Sequence, residues 1–497
     1  MKKYIELHPF QKGFLANNSE GYRNNLWERM PCFQGLLPVG GQAGKRAINE
    51  QDISGVECVN MERKTQDISI NLPMHSQMAP VILGAVENYA RVCGMDKADI
   101  FKLVLAVEEI FTYLSDTSLP GEIMLLQCRY FTYCLQVDFI FPLRSLNLRA
   151  FNLTTKVSVD NEPLMEEMGL LIASRSVEKL YFSRIYPDKL CLSMVKEKTY
   201  PEVILQPLAD LSPALQTIIR PAEPEEIKEF CQNLLQRIAE SQYPSFFNYP
   251  GKVIDMLAGD EYSILLAFDE KDHVVGGICW TGSQDRTVEC FGPYVFNDNE
   301  ATALALMDEC LVHIGRSNVP GIISRYAENA LLASYFEKLG STSVYKVGEM
   351  TSRKDAYYRQ INEDSGSRVW AHPDIEGFLQ EFYQGLFLPR EIRLVLSQGE
   401  ELNQESVFTT EFDRGREQVT IRPLVFGEDA EHNLTQHINS LQKEKLFNIF
   451  LEMDLGKAWQ PSLTPYLLSS GFKPCLLLPY AGDGDLLIFQ FEAGDAL

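Results

Sequence analysis

A glutamate and a tyrosine four residues apart give the first chemical signal in this sequence. Glu109 and Tyr113 belong to the stretch LAVEEIFTYLSDTS, residues 105–118, and residues at i and i+4 share one face of a helix. A glutamate followed at this spacing by asparagine can activate a nucleophile and hold a magnesium ion. Tyrosine is a poor substitute, because Mg²⁺ prefers small, hard oxygen donors in near-ideal octahedral geometry. The pair therefore indicates a nucleotide-binding helix that has lost a ligand.

The elements around this pair predict an α+β sandwich over residues 66–200. A strand, TQDISINLPM, is followed by a helix near Ala79–Cys93 and by a second helix, DIFKLVLAVEEIFTYL, whose apolar residues recur at helical spacing. Asp96 is the expected N-cap of this second helix. Two strands, a further helix and a closing pair of strands complete the unit. Residues 1–65 form a polar N-terminal extension.

Residues 105–118 and the later segment MGLLI, which contains Gly169, resemble the anti-sigma-factor serine kinases, which have the histidine-kinase-type ATPase fold. The resemblance implies an ATP site, with Glu109 as general base and Tyr113 at the position of the magnesium-binding asparagine. Gly169 is what remains of the glycine-rich third motif. No glycine occurs from residue 122 to residue 168, where the family has the glycines of its second motif. These departures predict a retained fold that does not bind Mg·ATP.

Two later units, residues 215–347 and 366–497, have the pattern of a tandem duplication. Each begins with a short strand and a proline-led helix, and each has a strand that ends in Val-Phe before an acidic turn. Val295 lies 45 residues before Gly340, and Val425 lies 46 residues before Gly471. Each glycine follows a predicted helix, ENALLASYFEKLGS or LTPYLLSSGF. The polar stretch at residues 352–367 is the expected spacer between the units.

The segment ENALLASYFEKLGS and the strands before it resemble the GNAT-type acetyltransferases. In those folds a bulge and a splay between strands receive acetyl-CoA, and Gly292-Pro293 indicates such a bulge here. The resemblance implies that Asn329 matches the motif and that Tyr335, one place from the family's acid, is the candidate for protonating the leaving thiolate. Glu289, on the strand beside the acceptor site, is the candidate base. A solvent-facing strand carboxylate is the alternative interpretation of Glu289.

The loop that would hold the pyrophosphate of acetyl-CoA departs from the family pattern. It follows Val295 and reads Asn297-Asp298-Asn299-Glu300-Ala301, without glycine and with two carboxylates. The N–H groups at a helix start attract anions, which makes Val295, Asn297 and Asn299 candidate cofactor-binding residues. The two carboxylates, Asp298 and Glu300, oppose this binding. The resemblance therefore makes acetyl-CoA a possible cofactor, although this loop is unfavourable to it.

Composition narrows the choice of partners. Acidic residues number 68 and basic residues 45, so the net charge is −23, which argues against nucleic acids and anionic membranes. Eleven scattered cysteines without a CxxC pair, no secretory leader and no membrane span predict a reduced, cytoplasmic protein. The seven histidines form no metal-binding spacing, and no metal site is expected.

Three hypotheses follow, and all place three modules in one chain: a histidine-kinase-type ATPase α/β sandwich and two GNAT-like mixed-sheet domains. The first is a regulatory protein that senses a ligand or binds a protein partner. The second is an active N-acetyltransferase whose middle domain uses acetyl-CoA on a small-molecule acceptor. The third is an ATP-dependent protein serine kinase.

Overall fold

The computed structural model describes most of the chain beyond the N-terminal extension. The described residues are 67–142, 173, 176–186, 189–208, 211, 217–282, 287–325, 334–346, 349–396, 399, 402–413 and 418–492. Gly169, Asn329 and most of the predicted helix around Gly169 lie outside them. Where described, the chain has the multidomain α+β character expected from the sequence.

The described residues of the N-terminal region, 67–200, form a five-stranded antiparallel sheet with two helices on one face. Its elements are β1 (Ile68–Pro73), α1 (Ala79–Val92), α2 (Lys97–Thr117), β2 (Ile123–Phe131), β3 (Cys134–Pro142), β4 (Lys179–Tyr186) and β5 (Lys189–Glu197). The sheet order is β1-β2-β3-β5-β4. The Asp96 carboxylate caps α2 by accepting a hydrogen bond from the N–H of Asp99 at 2.7 Å, a contact that typically stabilises a helix by about 1 kcal/mol.

Alternation along β3 separates the two faces of this sheet. Leu135 and Val137 are fully buried against α1 and α2. Gln136 lies between them in sequence and therefore points to the opposite face. There its side chain joins Arg129 and Ser193 around the carboxylate of Asp138. The outer face of the sheet is therefore polar and ordered.

The middle region, residues 217–360, is a mixed sheet with helices on both faces. Its elements are β6 (Ile218–Pro221), α3 (Pro224–Arg237), α4 (Pro250–Ala258), β7 (Tyr262–Phe268), β8 (Val274–Thr281), β9 (Val288–Val295), α5 (Glu300–Ile314), β10 (Gly321–Ser324), β11 (Glu337–Lys346) and β12 (Glu349–Gln360). The order across the sheet is β6-β7-β8-β9-β10-β12-β11. Helices α3 and α4 bury one face and α5 buries the other.

The C-terminal region, residues 367–492, repeats the second half of this pattern. Its elements are β13 (Ser367–Ala371), α6 (Pro373–Gly385), β14 (Arg390–Leu394), β15 (Val407–Asp413), β16 (Gln418–Val425), α7 (Ala430–Lys443), β17 (Asn448–Asp454), α8 (Thr464–Ser469), β18 (Phe472–Leu478) and β19 (Leu486–Phe491). The order β16-β17-β19-β18 matches β9-β10-β12-β11, and the first pair is parallel in both. Strands β13 and β14 form a separate parallel pair.

A single bridge, Gly340 to Leu476, joins the middle and C-terminal sheets into one of twelve strands. A Cβ atom at Gly340 would lie 2.3 Å from the carbonyl oxygen of Cys475, so glycine is needed for this close approach. Side-chain amides complete the junction: Asn448 bonds the backbone of Tyr345 and Gln490 bonds the backbone of Ser343.

Two predicted elements differ from the structure here. The expected helix through Glu337, Lys338 and Gly340 ends before Glu337, because these residues pair with β12 as part of β11. The polar stretch at residues 352–367, expected as a spacer, contains most of β12. The half-buried Asp355, Tyr357 and Arg359 alternate with the buried Ala356 and Tyr358, which is the pattern of a strand covered more closely on one face. Among the described residues, the helices are too short or too polar to cross a bilayer.

Candidate functional site

Strands β9 and β10 separate in the middle region, as the sequence predicts for an acyl-carrier cleft. They pair only between residues 288–290 of β9 and 322–324 of β10, although β9 continues to Val295. The expected bulge is present, because Gly292 and Pro293 together face Ile278 of β8. Pro293 has no N–H, and Gly292 has a φ of +98°. One backbone donor that could hold a thioester oxygen is therefore missing at the bulge.

Glu289 lies where the two strands still pair. Its two carboxylate oxygens accept hydrogen bonds from Arg325 at 2.8 Å each, and its backbone N–H donates to the hydroxyl of Thr281. A bidentate guanidinium pair is a strong, oriented contact. A substrate amine would have to displace Arg325 before Glu289 could take its proton.

Tyr335 is directed towards α5. Its hydroxyl donates to a carboxylate oxygen of Asp308 at 3.0 Å, and partial burial together with this carboxylate raises the pKa of Tyr335. Its neighbour Phe336 is 5% exposed and packs in the core beneath α5. The structure therefore does not bring the Tyr335 hydroxyl and the Glu289 carboxylate into contact.

The loop between β9 and α5 uses its polar groups internally. The Asn299 side chain accepts a hydrogen bond from the N–H of Ala301 at 3.1 Å and caps α5. The Asn297 side chain accepts one from the N–H of Asn299 at 3.3 Å. Asn297 is 4% exposed, and its amide nitrogen is enclosed without a partner. Glu300 adds a negative charge in the first turn. The loop thus fits a pyrophosphate poorly.

The equivalent loop in the C-terminal region, residues 426–430, is covered by residues 402–406. The N–H of Glu428 donates to the carbonyl of Asn403 at 2.9 Å, and the Asp429 carboxylate accepts from the N–H of Ser406 at 2.5 Å. A Cβ at Gly427 would lie 2.3 Å from the carbonyl carbon of Glu405. The chain itself therefore occupies the place where an anion would approach this helix.

A cavity of about 1550 Å³ opens where β16 and β17 separate. These strands pair through residues 418–421 and 448–451, and Pro423–Val425 with Asp454 lie beyond the last pair. The outer face of the N-terminal sheet forms the opposite wall, through Gln136 and Lys179 among others.

Charged side chains of the C-terminal wall are already connected to one another. Arg422 donates to Glu411 and to Glu452 at 2.5 Å each, and it keeps 42% of its side-chain surface accessible, towards the cavity. Burial opposes ionisation of Glu411, but Arg422 outweighs it and lowers the pKa of this carboxyl. The Asp454 carboxylate accepts hydrogen bonds from the backbone N–H groups of three residues, Gly456, Asp483 and Gly484.

Glu261 extends into the cavity from the start of β7. Burial raises its pKa to about 7, although a hydrogen bond from Tyr133 and the charge of Lys179 act in the opposite direction. One of its carboxylate oxygens is enclosed without a hydrogen-bond partner. This carboxyl is therefore poised between its charged and neutral forms at neutral pH.

Two residues predicted from the ATPase resemblance, Glu109 and Tyr113, lie on α2, across the sheet from this cavity. Tyr113 is 4% exposed and belongs to the core between α1, α2 and the sheet. Burial and then the charge of Glu108 raise the pKa of Glu109. A bound Mg²⁺ usually keeps several waters, and a buried tyrosine offers it neither space nor a suitable ligand. The N-terminal region thus fits Mg·ATP poorly at this position.

None of the seven predicted site residues that the structure describes lines the large cavity. Its wall combines residues from positions 131 to 486, and no local motif connects them. The one local signal is Pro423 within β16, because a proline has no N–H to donate to a neighbouring strand. Among the described residues, no cluster of three histidine, cysteine or acidic side chains is placed to hold a metal ion.

Comparison with known proteins gives matches to solved structures alone. No family model matches the chain, and no curated protein matches it. About 30% of the chain is similar to a phosphinothricin acetyltransferase of the GNAT superfamily from Sinorhizobium meliloti in complex with AcCoA, at 16% identity, with a TM-score of 0.26 and 90% of that chain covered. An N-acetyltransferase from Staphylococcus aureus Mu50 matches 30% of the chain, at 14% identity, a TM-score of 0.26 and 99% coverage of its own length. A GNAT family N-acetyltransferase from Escherichia coli in complex with CoA matches 31%, at 14% identity, a TM-score of 0.21 and 86% coverage. Likeness at this level carries no argument about chemistry.

Proposed function

We propose that this protein is a cytoplasmic regulatory protein whose GNAT-like regions bind a ligand or a protein partner without transferring an acetyl group. The observation that carries the proposal is that a backbone N–H group at each helix start already has a hydrogen-bond partner within the chain. In the middle region Asn299 takes the N–H of Ala301, and in the C-terminal region Asn403 takes the N–H of Glu428. A pyrophosphate needs such donors to be available.

The catalytic groups support the same proposal. Acetyl transfer needs an available base and an acid near the thiolate, but Arg325 holds both oxygens of Glu289 and Asp308 holds the Tyr335 hydroxyl. Displacing either partner would leave a charged or polar group without its hydrogen bond. Binding is therefore the function that these contacts favour over turnover.

The test combines binding and turnover. Isothermal titration with CoA and with acetyl-CoA should give no saturable heat below about 1 mM. Any binding would then be weaker than roughly 4 kcal/mol of binding free energy. Incubation with acetyl-CoA and a panel of amines should release no thiol above the rate without protein. A variant that combines Asp298→Gly with Glu300→Gln is the matched control, because it removes both carboxylates from the loop and should gain affinity for CoA.

Amine-dependent release of CoA that Glu289→Gln abolishes would overturn the proposal and establish an N-acetyltransferase. For the N-terminal region, Mg·ATP should leave the melting temperature unchanged, because Tyr113 is buried at the magnesium position. Transfer of labelled phosphate to a protein, lost in Glu109→Ala, would instead establish the serine kinase.

A further inference from the structure

The large cavity is bounded by all three regions of the chain. The N-terminal sheet contributes Gln136 and Lys179, the middle region contributes Glu261, and the C-terminal region contributes Arg422 and most of the remaining wall. The chemistry of the wall decides which ligand fits.

Carboxylates outnumber cationic side chains in the described part of this wall. Six carboxylates face three cations, which are Lys179, Arg422 and Lys457. The carboxylates are Glu197, Glu261, Glu411, Glu452, Asp454 and Asp483. Such an excess of one sign raises the local concentration of molecules with the opposite charge.

The ion pairs among these side chains show where the excess negative charge lies. Arg422 is shared between two carboxylates, those of Glu411 and Glu452, so this group of three carries one net negative charge. Lys457 is shared in the same way, with its ammonium nitrogen 3.3 Å from an oxygen of Asp454 and 3.4 Å from one of Asp483.

The two remaining carboxylates lie near lysines. Glu197 pairs with Lys252 at 2.5 Å, and Lys179 acts electrostatically on Glu261 and also on Glu411. In the described part of the wall, the excess carboxylates therefore belong to the two shared groups, one in each.

Aromatic side chains cover much of the uncharged wall. Among the described residues they number seven: Phe131, Tyr133, Tyr181, Phe182, Trp370, Phe426 and Trp459. Aromatic faces attract cations, by about 0.5–2 kcal/mol each, and they also pack against apolar groups. The wall therefore favours a ligand with both an apolar body and positive charge.

We propose that the cavity binds an organic dication, a molecule with two ammonium groups on an apolar body. The proposal rests on the binding role proposed above and names the ligand class for it. One ammonium lies against the Arg422 group and the other against the Lys457 group, and each meets the single excess charge there. The aromatic side chains contact the apolar body between them.

Three benzene derivatives of similar shape but different net charge test whether the cavity prefers a dication. They are 1,4-bis(aminomethyl)benzene with two positive charges, 4-(aminomethyl)benzoate as the zwitterion, and terephthalate with two negative charges. In isothermal titration at low ionic strength, the dication should bind at least about tenfold more tightly than the zwitterion, a factor that corresponds to about 1.4 kcal/mol. Terephthalate should not bind. Equal binding by the zwitterion, tighter binding by the dianion, or no binding of the dication overturns the proposal.

Substitutions locate the site. Glu452→Gln and Asp483→Asn each remove one negative charge from a shared group. Each should lower the affinity for the dication by about tenfold. Glu381→Gln, on the exposed side of α6, is the matched control and should change nothing. An equal loss in the control would assign the binding to the general negative charge of the surface and reject the cavity. Asp483 is 62% exposed, so its variant keeps the test valid if Glu452→Gln does not fold.

The outcome is separable from the proposed function. Absence of dication binding without release of CoA rejects this ligand class alone. Release of CoA from acetyl-CoA rejects the non-catalytic role, whatever the diamine does.

Discussion

The middle and C-terminal regions share one sheet core but are flanked differently. Strands β6, β7 and β8 extend the middle sheet beyond β9. In the C-terminal region β15 alone extends the sheet beyond β16, and β13 and β14 form a pair of their own. The N-terminal sheet covers the side left open, with β4 packed beside β15. The large cavity lies between these two surfaces, so it borders the repeat with fewer flanking strands.

The two helix starts show a second difference. In the middle region a side chain within the loop, Asn299, caps α5. In the C-terminal region a separate segment, residues 402–406, satisfies the loop before α7. Orphan N–H groups at a helix start must find partners, and the two regions found them by independent routes.

The largest expected effect concerns an arginine near the beginning of each region. Arg390 on β14 is fully buried and donates to Asp485 at 2.8 Å and to Asp364 at 2.6 Å. Arg220 on β6 bonds Glu226 but keeps 35% of its side chain exposed. Arg390→Ala leaves two buried carboxylates without their cation and should lower the free energy of unfolding by about 4 kcal/mol. Arg220→Ala should lower it by less than about 1 kcal/mol.

Urea unfolding followed by circular dichroism measures both arginine variants under the same conditions. Similar losses would show that the buried cluster does not distinguish the regions. Arg390→Lys provides a control that keeps the charge but not the forked geometry, and it should fall between wild type and Arg390→Ala.

The next prediction concerns the pH dependence of stability, through a histidine on α7. His437 is fully buried, and burial lowers its pKa to about 4, although backbone carbonyls at Asn433 and Phe408 oppose the shift. Below its usual pKa of about 6.5 the unfolded chain takes up a proton that the folded chain does not. Stability should therefore fall by about 2–3 kcal/mol as the pH decreases from 7 to 4.5.

His437→Gln should remove this part of the pH dependence, as urea midpoints at several pH values would show. At the equivalent position α5 has the buried Met307, which does not titrate, so this pH dependence is absent from the middle region. His313→Gln, on the surface of α5, is the control. An unchanged pH slope in His437→Gln would contradict the assignment.

A smaller effect on stability distinguishes the loop before α5 from the loop before α7. Gly427 and Asn297 both follow the Val-Phe that ends the strand, but backbone of Glu405 lies against Gly427. Gly427→Asn should destabilise the protein by about 2 kcal/mol, since residues 402–406 must move. Asn297→Gly loses one hydrogen bond and should cost about 1 kcal/mol. Hydrogen exchange should show faster opening of residues 402–406 in Gly427→Asn alone, and protection equal to wild type would contradict the covering role.

Sequence patterns predicted local elements well and the distant contacts poorly. The alternating strands, the helical spacing in α2, the Asp96 cap and the bulge at Gly292-Pro293 were all visible, because each depends on neighbours in the chain. The helix expected to end at Gly340 is instead partly strand β11. Gly340 resembled a helix-ending glycine, but its reason is a close approach to Cys475, 135 residues away in the numbering.

The candidate site shows the same limit. Glu289 and Tyr335 could be found from motif spacing, yet the partners that hold them, Arg325 and Asp308, depend on tertiary packing. The cavity brings together Lys179, Glu261 and Arg422 from three regions, and no periodicity in the chain connects them. The nine site predictions and the domain boundaries made from sequence stay predictions.

The smallest expected effect compares Glu261, in the cavity, with Glu289, on the middle sheet. Burial raises the pKa of Glu261 to about 7, above the value of about 4.3 in an unfolded chain. The folded chain therefore keeps a proton that the unfolded chain releases, and wild-type stability falls as the pH rises from about 4.5 through 7. Glu261→Gln should remove this loss and be more stable than wild type by about 1 kcal/mol at pH 8, a value reduced for water in the cavity. At pH 4 the two proteins should unfold at the same urea concentration.

Glu289→Gln removes a contact with Arg325 and should have the opposite sign at pH 8, with a loss below about 1 kcal/mol. A destabilised Glu261→Gln at pH 8 would mean that this carboxylate is well paired in the folded protein, and the cavity would then have no exceptional acid to distinguish it from the middle cleft.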